Sequence, residues 1–464
     1  MLPPMRRALV LLLLLLIAPA PAAASPNVVV IETDDQTVAD LAAMPQTRAL
    51  IGGAGVTFTR SFVSLSECCP SRATFLTGQY AHNHGVLSNA PPFGGFARLR
   101  GAETLPVWLQ RAGYATGLVG KYLNGYGTGD RYLVPPGWTD FEGLIGRSTY
   151  RFYDFTMNVN GALETTQDDY QTDAITQRSV DFVHRHANRP FFLWTTYVAP
   201  HTGGPIELDD PVGYKSTVPA PRHYGAFAGT PLPRPPSFNE RNVADKPAFI
   251  RKRPRLAPWQ IAAITETRRQ RLAALLAVDE GVTRVVETLG ATGVLANTVV
   301  IFTSDNGWMA GEHRVPSGKM LAYEPSIRVP LLMRGPGIPA GVRHSELVWN
   351  GDLAPTILAL TGAQPAWPLD GRSLLAPSNQ VPRAILLEGP AAPRTLGLPR
   401  FAGLRTRRYK YIEHLWGAKE IYDLRRDPDE LTNLARLPRK AGLKAQLGRR
   451  LTELRGCTGA SCLR

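Results

Sequence analysis

Four compact apolar runs organise this chain, and each ends on residues that carry chemistry. Asn27–Thr33 reads Asn-Val-Val-Val-Ile-Glu-Thr and leads into Asp34-Asp35. Thr116–Val119 leads into Gly120-Lys121, and Pro190–Val198 into Ala199-Pro200-His201. Thr298–Thr303 leads into Ser304-Asp305-Asn306-Gly307. Short β-branched runs without alternation predict strands buried on both faces, as in parallel sheets. Between them the period changes. In Ala262–Leu289 the apolar residues Leu272, Leu275, Leu276, Val278, Val282, Val285 and Val286 fall on helical spacing. The expected fold class is therefore α/β, a mainly parallel sheet with helices on both faces. Such sheets bind ligands at the carboxyl ends of their strands, where the acids, the lysine and the histidine stand.

Residues 200–260 are rich in Pro and Gly and lack periodicity, which predicts an irregular insertion near the mouth of the site. After Leu375 the character changes. Ala384–Leu387, Phe401–Leu404, Lys410–Ile412 and Glu420–Leu424 read as strands, and Lys440–Leu454 as a helix. The expected organisation is an α/β domain over 25–375 and a small antiparallel sheet plus helix over 376–464. No internal repeat is present.

Residues 1–24 read as a secretory signal peptide. Arg6 and Arg7 precede the apolar run Ala8–Ile17, and small residues follow through Ala22-Ala23-Ala24. The apolar core is short for a membrane span, so an exported chain with no stable membrane anchor is expected. Periplasmic and fully secreted destinations are equally compatible. With 52 Lys and Arg against 38 Asp and Glu, the formal charge is +14. Such a surface favours anionic partners. No zinc-finger spacing or RNA-binding aromatic run is present, which turns the reading from nucleic acid towards an acidic glycan. Four cysteines are too few for a disulfide-built scaffold. Cys457 and Cys462 are expected to pair in an exported chain, while adjacent Cys68 and Cys69 read as one special and one ordinary cysteine.

The chemistry concentrates in Cys68-Cys69-Pro70-Ser71-Arg72, followed by Leu76-Thr77-Gly78. Asp34-Asp35 and Asp305-Asn306 add two sets of hard oxygen donors, which suit Ca²⁺ or Mg²⁺. This ordered set resembles the type I sulfatases, members of the alkaline-phosphatase superfamily. Gly120-Lys121-Tyr122-Leu123-Asn124 with Tyr126, Pro135-Pro136-Gly137-Trp138 and His82-Asn83-His84 look like the N-acetylglucosamine-6-sulfatase and heparan 6-O-endosulfatase branch.

The resemblance implies an alkaline-phosphatase-like fold and a sulfuric ester hydrolase. It implies that a formylglycine-generating enzyme converts Cys68 to the nucleophile. Asp34, Asp35, Asp305 and Asn306 would hold Ca²⁺, or Mg²⁺, with modified Cys68 completing the shell. Arg72 would neutralise the nucleophile. Lys121, His201 and Lys319 would bind the sulfate group, with His201 or Lys319 protonating the leaving alcohol. Leu123 stands where many sulfatases carry His, so His84 enters as a candidate substrate contact in its place. His313 reads as a surface residue. The implied substrate is a sulfated sugar or glycosaminoglycan, such as an N-acetylglucosamine 6-sulfate unit. Two other readings stay open: a phosphoester hydrolase on the same fold, and a non-catalytic protein that binds sulfated glycans.

Overall fold

A computed structural model describes residues 25–204, 210–376, 383–391 and 400–463. The expected signal peptide and residues 205–209 of the insertion lie outside them.

Ten strands form the large sheet. Their spatial order is Val342–His344, Val56–Phe58, Leu331–Arg334, Thr298–Ser304, Asn27–Thr33, Phe191–Thr196, Ala115–Lys121, Asp140–Leu144, Phe155–Val159 and Ala162–Thr166. The five strands from Thr298–Ser304 to Asp140–Leu144 are mutually parallel. Leu331–Arg334, Phe155–Val159 and Ala162–Thr166 pair antiparallel towards the edges. All four strands expected from the apolar runs occur, and they are consecutive at the centre of the sheet.

Alternation along Asn27–Thr33 places its side chains on opposite faces. Val29 and Ile31 join a core with Phe182, Val278 and Val282. Those partners come from helices α2 (Gln171–His186) and α3 (Pro258–Ala291). Val28 and Val30 join a second core with Phe75 and Trp108 on the other face. Phe75 belongs to helix α1 (Cys68–Thr77). The sheet is thus sandwiched, and α3 starts four residues before its apolar spacing predicted, where Pro258 opens it favourably, and ends two residues later.

Residues Ile385–Glu388, Phe401–Arg405, Tyr409–His414 and Lys419–Asp423 form a four-stranded antiparallel sheet, packed on helix α4 (Ala441–Arg455). Its buried Leu404, Tyr411 and Tyr422 share a core with Phe62, Met309 and Trp349 of the larger part. The described residues of the 200–260 segment are largely irregular, with Val218, Ala220 and Ile250 among those buried.

Cys457 and Cys462 form a disulfide, while Cys68 and Cys69 are free and buried. The tail docks on the turn after α1. His82 Nε2 donates to the Cys457 carbonyl at 2.9 Å and Nδ1 donates to Glu388 at 3.0 Å. Donation from both nitrogens requires the charged imidazolium. Burial opposes that charge, but the Glu388 contact outweighs it and lifts the His82 pKa from 6.5 to about 9. The contribution to stability is therefore fully present below pH 6.5 and is lost as pH rises through 9. The urea midpoint of the wild type should fall over that window, and His82→Gln should flatten the fall. Identical slopes in both proteins would refute the assignment.

Candidate active site

The sheet brings the charged strand ends together by register. Thr33 lies beside Ser304, and Glu32 and Gly120 both lie beside Thr196. The residues that follow must converge at one rim. The Asp305 N–H donates to the Thr33 carbonyl at 3.1 Å, and the Asp35 N–H to Asp305 Oδ1 at 3.2 Å. Asp35 adopts a left-handed φ of 67°, which an Asp tolerates in a tight turn.

Cys68 is the first residue of α1, at the end where the helix dipole favours negative charge. Its thiol is 1% exposed and donates to Asp34 Oδ1 at 3.5 Å. Lys319 Nζ donates to Cys68 Sγ at 2.7 Å and also to Asp35. Lys121 pairs with Asp34. Asp34, Asp35, Cys68 and His201 present ligand atoms within 4.8 Å of one another.

The charges set one another. Burial works against ionisation of Asp34, yet Lys121, with His201 and Lys319, holds its pKa at about 2. Burial and the neighbouring Asp34 carboxylate push the Cys68 thiol well above its usual range, despite both lysines. Cys69 is pushed up to about 12, chiefly by burial and secondarily by Glu67.

Arg72 lies one helical turn below Cys68 and is fully buried. Nε donates to Asp305 Oδ2 at 2.9 Å, Nη1 donates to the Lys121 carbonyl at 2.9 Å, and Glu32 is 3.6 Å away. Among the described residues, the Arg72 guanidinium holds Asp305 rather than Cys68 Sγ. Asp305 accordingly turns one oxygen to Arg72 and the other to the Asp35 N–H. His201 Nδ1 donates to the Thr202 carbonyl at 2.7 Å, leaving Nε2 towards Asp35 Oδ2 at 3.7 Å.

Two histidines depart from expectation. His84 is buried and accepts the Val86 N–H on Nδ1 at 3.1 Å, so Nε2 donates to Thr74 Oγ1 at 3.1 Å. Burial, with His82 and Arg100, lowers its pKa to about 3. Both nitrogens are committed within the fold, which corrects the proposal that it contacts substrate. His313 is buried instead of surface-exposed, because its Nδ1 pairs with Glu240 at 2.7 Å and its ring packs 4.3 Å from Tyr323.

The family described as Sulfatase matches residues 26–363. The chain belongs to the sulfatase family. A second family, described as N-sulphoglucosamine sulphohydrolase, C-terminal, matches residues 311–456 of this sulfatase. Human N-acetylglucosamine-6-sulfatase is 32% identical over 94% of this chain and 86% of its own length. A Sulf-1 homolog of Caenorhabditis elegans is 37% identical over 75% of this chain, which spans about half of that relative (48%). A solved structure in complex with its substrate D-glucosamine-2-N,6-O-disulfate superposes with a TM-score of 0.78 at 25% identity. The superposition covers 93% of this chain and 97% of that one.

The donor set fits a hard divalent cation. Asp35 Oδ2 and Asn306 Oδ1 are buried oxygens without hydrogen-bond partners, an expensive arrangement unless a cation satisfies them. Lys121, Lys319 and Arg72 stand among the acids, and a divalent ion would add further positive charge, suited to an anionic ester.

Two neighbours carried no signal in the sequence. Tyr150 lies 5.0 Å from Lys121 Nζ and 4.6 Å from the His201 ring. Arg271, within α3, donates to the Asp35 carbonyl at 2.5 Å and to the Pro200 carbonyl at 2.8 Å. Arg271 also lines a cavity of about 470 Å³ with Trp308 and Arg268. The 200–260 insertion adds Tyr214, Leu232 and Ser237 to its wall.

Proposed function

We propose that this protein hydrolyses sulfate monoesters of sugars, with 6-sulfated glucosamine units as the substrate class. The observation that carries the reading is Cys68 Sγ at a helix N-terminus, 2.7 Å from Lys319 Nζ and 3.5 Å from an Asp34 oxygen. The human relative's name and the substrate of the superposed complex support the sugar class.

The reaction adds water across the ester S–O linkage, giving an alcohol, sulfate and a proton. Conversion of Cys68 to formylglycine by a generating enzyme would supply a hydrated aldehyde, with one hydroxyl to attack sulfur and a second that, on losing its proton, would expel sulfate from the first and restore the aldehyde. A divalent ion held by Asp34, Asp35, Asp305 and Asn306, Ca²⁺ before Mg²⁺, would supply charge opposite the sulfate oxygens. Lys121 and Lys319 orient those oxygens and stabilise charge that grows during transfer. The Thr202 carbonyl fixes the His201 tautomer, so Nε2 faces the reacting groups. His201 or Lys319 delivers the proton to the departing sugar oxygen. Asn306 is a less basic neutral ligand than a histidine, which is consistent with a sulfate monoanion as substrate.

Export is proposed from the basic and apolar N-terminal pattern. Among the described residues, no helix is long and apolar enough to cross a membrane.

Protein co-produced with a formylglycine-generating enzyme should release sulfate from N-acetylglucosamine 6-sulfate at least 100-fold faster than phosphate from the matched 6-phosphate. A chelator should remove that activity, and Ca²⁺ should restore it. Faster phosphate release would assign the site to phosphoester hydrolysis. Tight glycan binding without sulfate release from a verified aldehyde form would make it a binding protein.

A further inference from the structure

Away from the cluster described above, a cavity of about 370 Å³ is lined by Arg60, Arg407, Arg408 and Arg425. It lies where the two sheets meet. Arg60 follows the Val56–Phe58 strand of the large sheet. Arg407 and Arg408 occupy the turn between Phe401–Arg405 and Tyr409–His414, and Arg425 follows Lys419–Asp423. Among the described residues, only Arg408 of these four has a carboxylate partner, Asp423 at 2.7 Å. Arg60 Nη1 is buried without a hydrogen-bond partner.

Convergent guanidinium groups repel unless an anion lies between them. Burial disfavours the charge on Arg60, and Arg407, Arg405 and Arg328 add to that pressure, with Glu324 the opposing carboxylate. Arginine does not relieve such pressure by losing its proton at ordinary pH. Arg328 is itself fixed at the seam by donating to the Thr59 carbonyl at 2.6 Å. Arg405 is fixed by Glu324 at 2.8 Å and by the Phe62 ring at 4.8 Å. These two neighbours of Arg60 are therefore held in place beside the cavity. Planar guanidinium forks match the paired oxygens of sulfate and carboxylate groups.

We propose that Arg60, Arg407, Arg408 and Arg425 form a second anion site, which holds a sulfate or carboxylate group of an acidic glycan chain. The choice of a glycan rests on the sulfated-sugar reading of the catalytic cluster; the anion site itself does not. It would give polymeric substrates a grip that a monosaccharide cannot use.

Arg407 and Arg425 are exposed, so Arg407→Glu/Arg425→Glu leaves the core intact. Binding of a heparin-derived octasaccharide is measured in a Cys68→Ala background, which separates it from turnover. The double variant should bind at least tenfold more weakly in 0.1 M salt, with a shallower salt dependence. In the unsubstituted Cys68 protein, the same pair should leave release from N-acetylglucosamine 6-sulfate within twofold. A matched control, Arg439→Glu/Arg449→Glu, changes two other exposed arginines and should bind nearly as the parent does. Equal losses in both pairs, or no loss in either, would overturn the site. Single-stranded RNA bound as tightly as the octasaccharide, with the same dependence on Arg407 and Arg425, would overturn the glycan assignment. Absence of sulfate release from every protein would defeat the catalytic reading alone, because the octasaccharide arm does not depend on it.

Discussion

Replacing Cys68 with alanine is expected to remove turnover almost completely, by about 10⁵-fold or more, as for other covalent nucleophiles. Few structural consequences should accompany that loss. The thiol is at the first position of α1, and its two contacts run to Asp34 and Lys319. These two remain paired with Lys121 and Asp35. Cys68→Ser separates chemistry from folding more finely. A serine hydroxyl can attack once but lacks the second hydroxyl on the same carbon, so a single burst of leaving alcohol should precede arrest. Cys69→Ala is the control, because its Sγ faces the Asn124 carbonyl at 4.0 Å and not the cluster. A mass spectrum of the Ser61–Arg72 peptide should show an aldehyde at position 68 and an intact thiol at 69. Turnover of purified Cys68→Ala protein within tenfold of wild type would reject the mechanism.

The sequence made the centre of the fold more legible than its margins, for a physical reason. Asn27–Thr33 and Thr298–Ser304 are buried along their whole length. Each must be apolar on both faces, and a continuous β-branched run records that. Ala162–Thr166, at the sheet edge, reads Ala-Leu-Glu-Thr-Thr and has no fully buried residue, so nothing in it distinguishes a strand from a loop. The same contrast holds at the site. Asp34, Asp35, Lys121, His201, Asp305 and Asn306 follow recognisable strands, and their place in the chain announces their place in space. Tyr150 ends a short 3₁₀ turn, Gly146–Tyr150, with no periodicity to mark it. Arg271 stands in a long helix among other arginines and reads as part of a solvated face. His84 and His313 fail in the opposite sense. A lone histidine in a sequence does not reveal that Thr74, Val86 or Glu240 will occupy its nitrogens.

Arg72→Ala should be the most damaging change outside the nucleophile, through both stability and rate. The guanidinium is wholly buried between Asp305 at 2.9 Å and Glu32 at 3.6 Å, and its charge lies 5.9 Å from the Trp194 ring. Its removal leaves two buried carboxylates facing each other. Breaking a buried pair in this way costs about 3–5 kcal/mol. Glu32 offers a partial escape. Burial already lifts its pKa to about 7 against the pull of Arg72, so the variant can protonate it and keep part of its stability. One Asp305 oxygen, held among the described residues by Arg72, must find a new position. A displacement of about 1 Å there can lower kcat/KM by about 10²-fold. Thermal unfolding and the divalent-ion concentration for half-maximal activity, measured together, separate the two effects. A lower melting temperature with unchanged ion dependence would make Arg72 purely structural. A raised ion requirement, partly rescued by Arg72→Lys, is the expected result, since a lysine restores the charge but not the fork that grips both Asp305 and the Lys121 carbonyl.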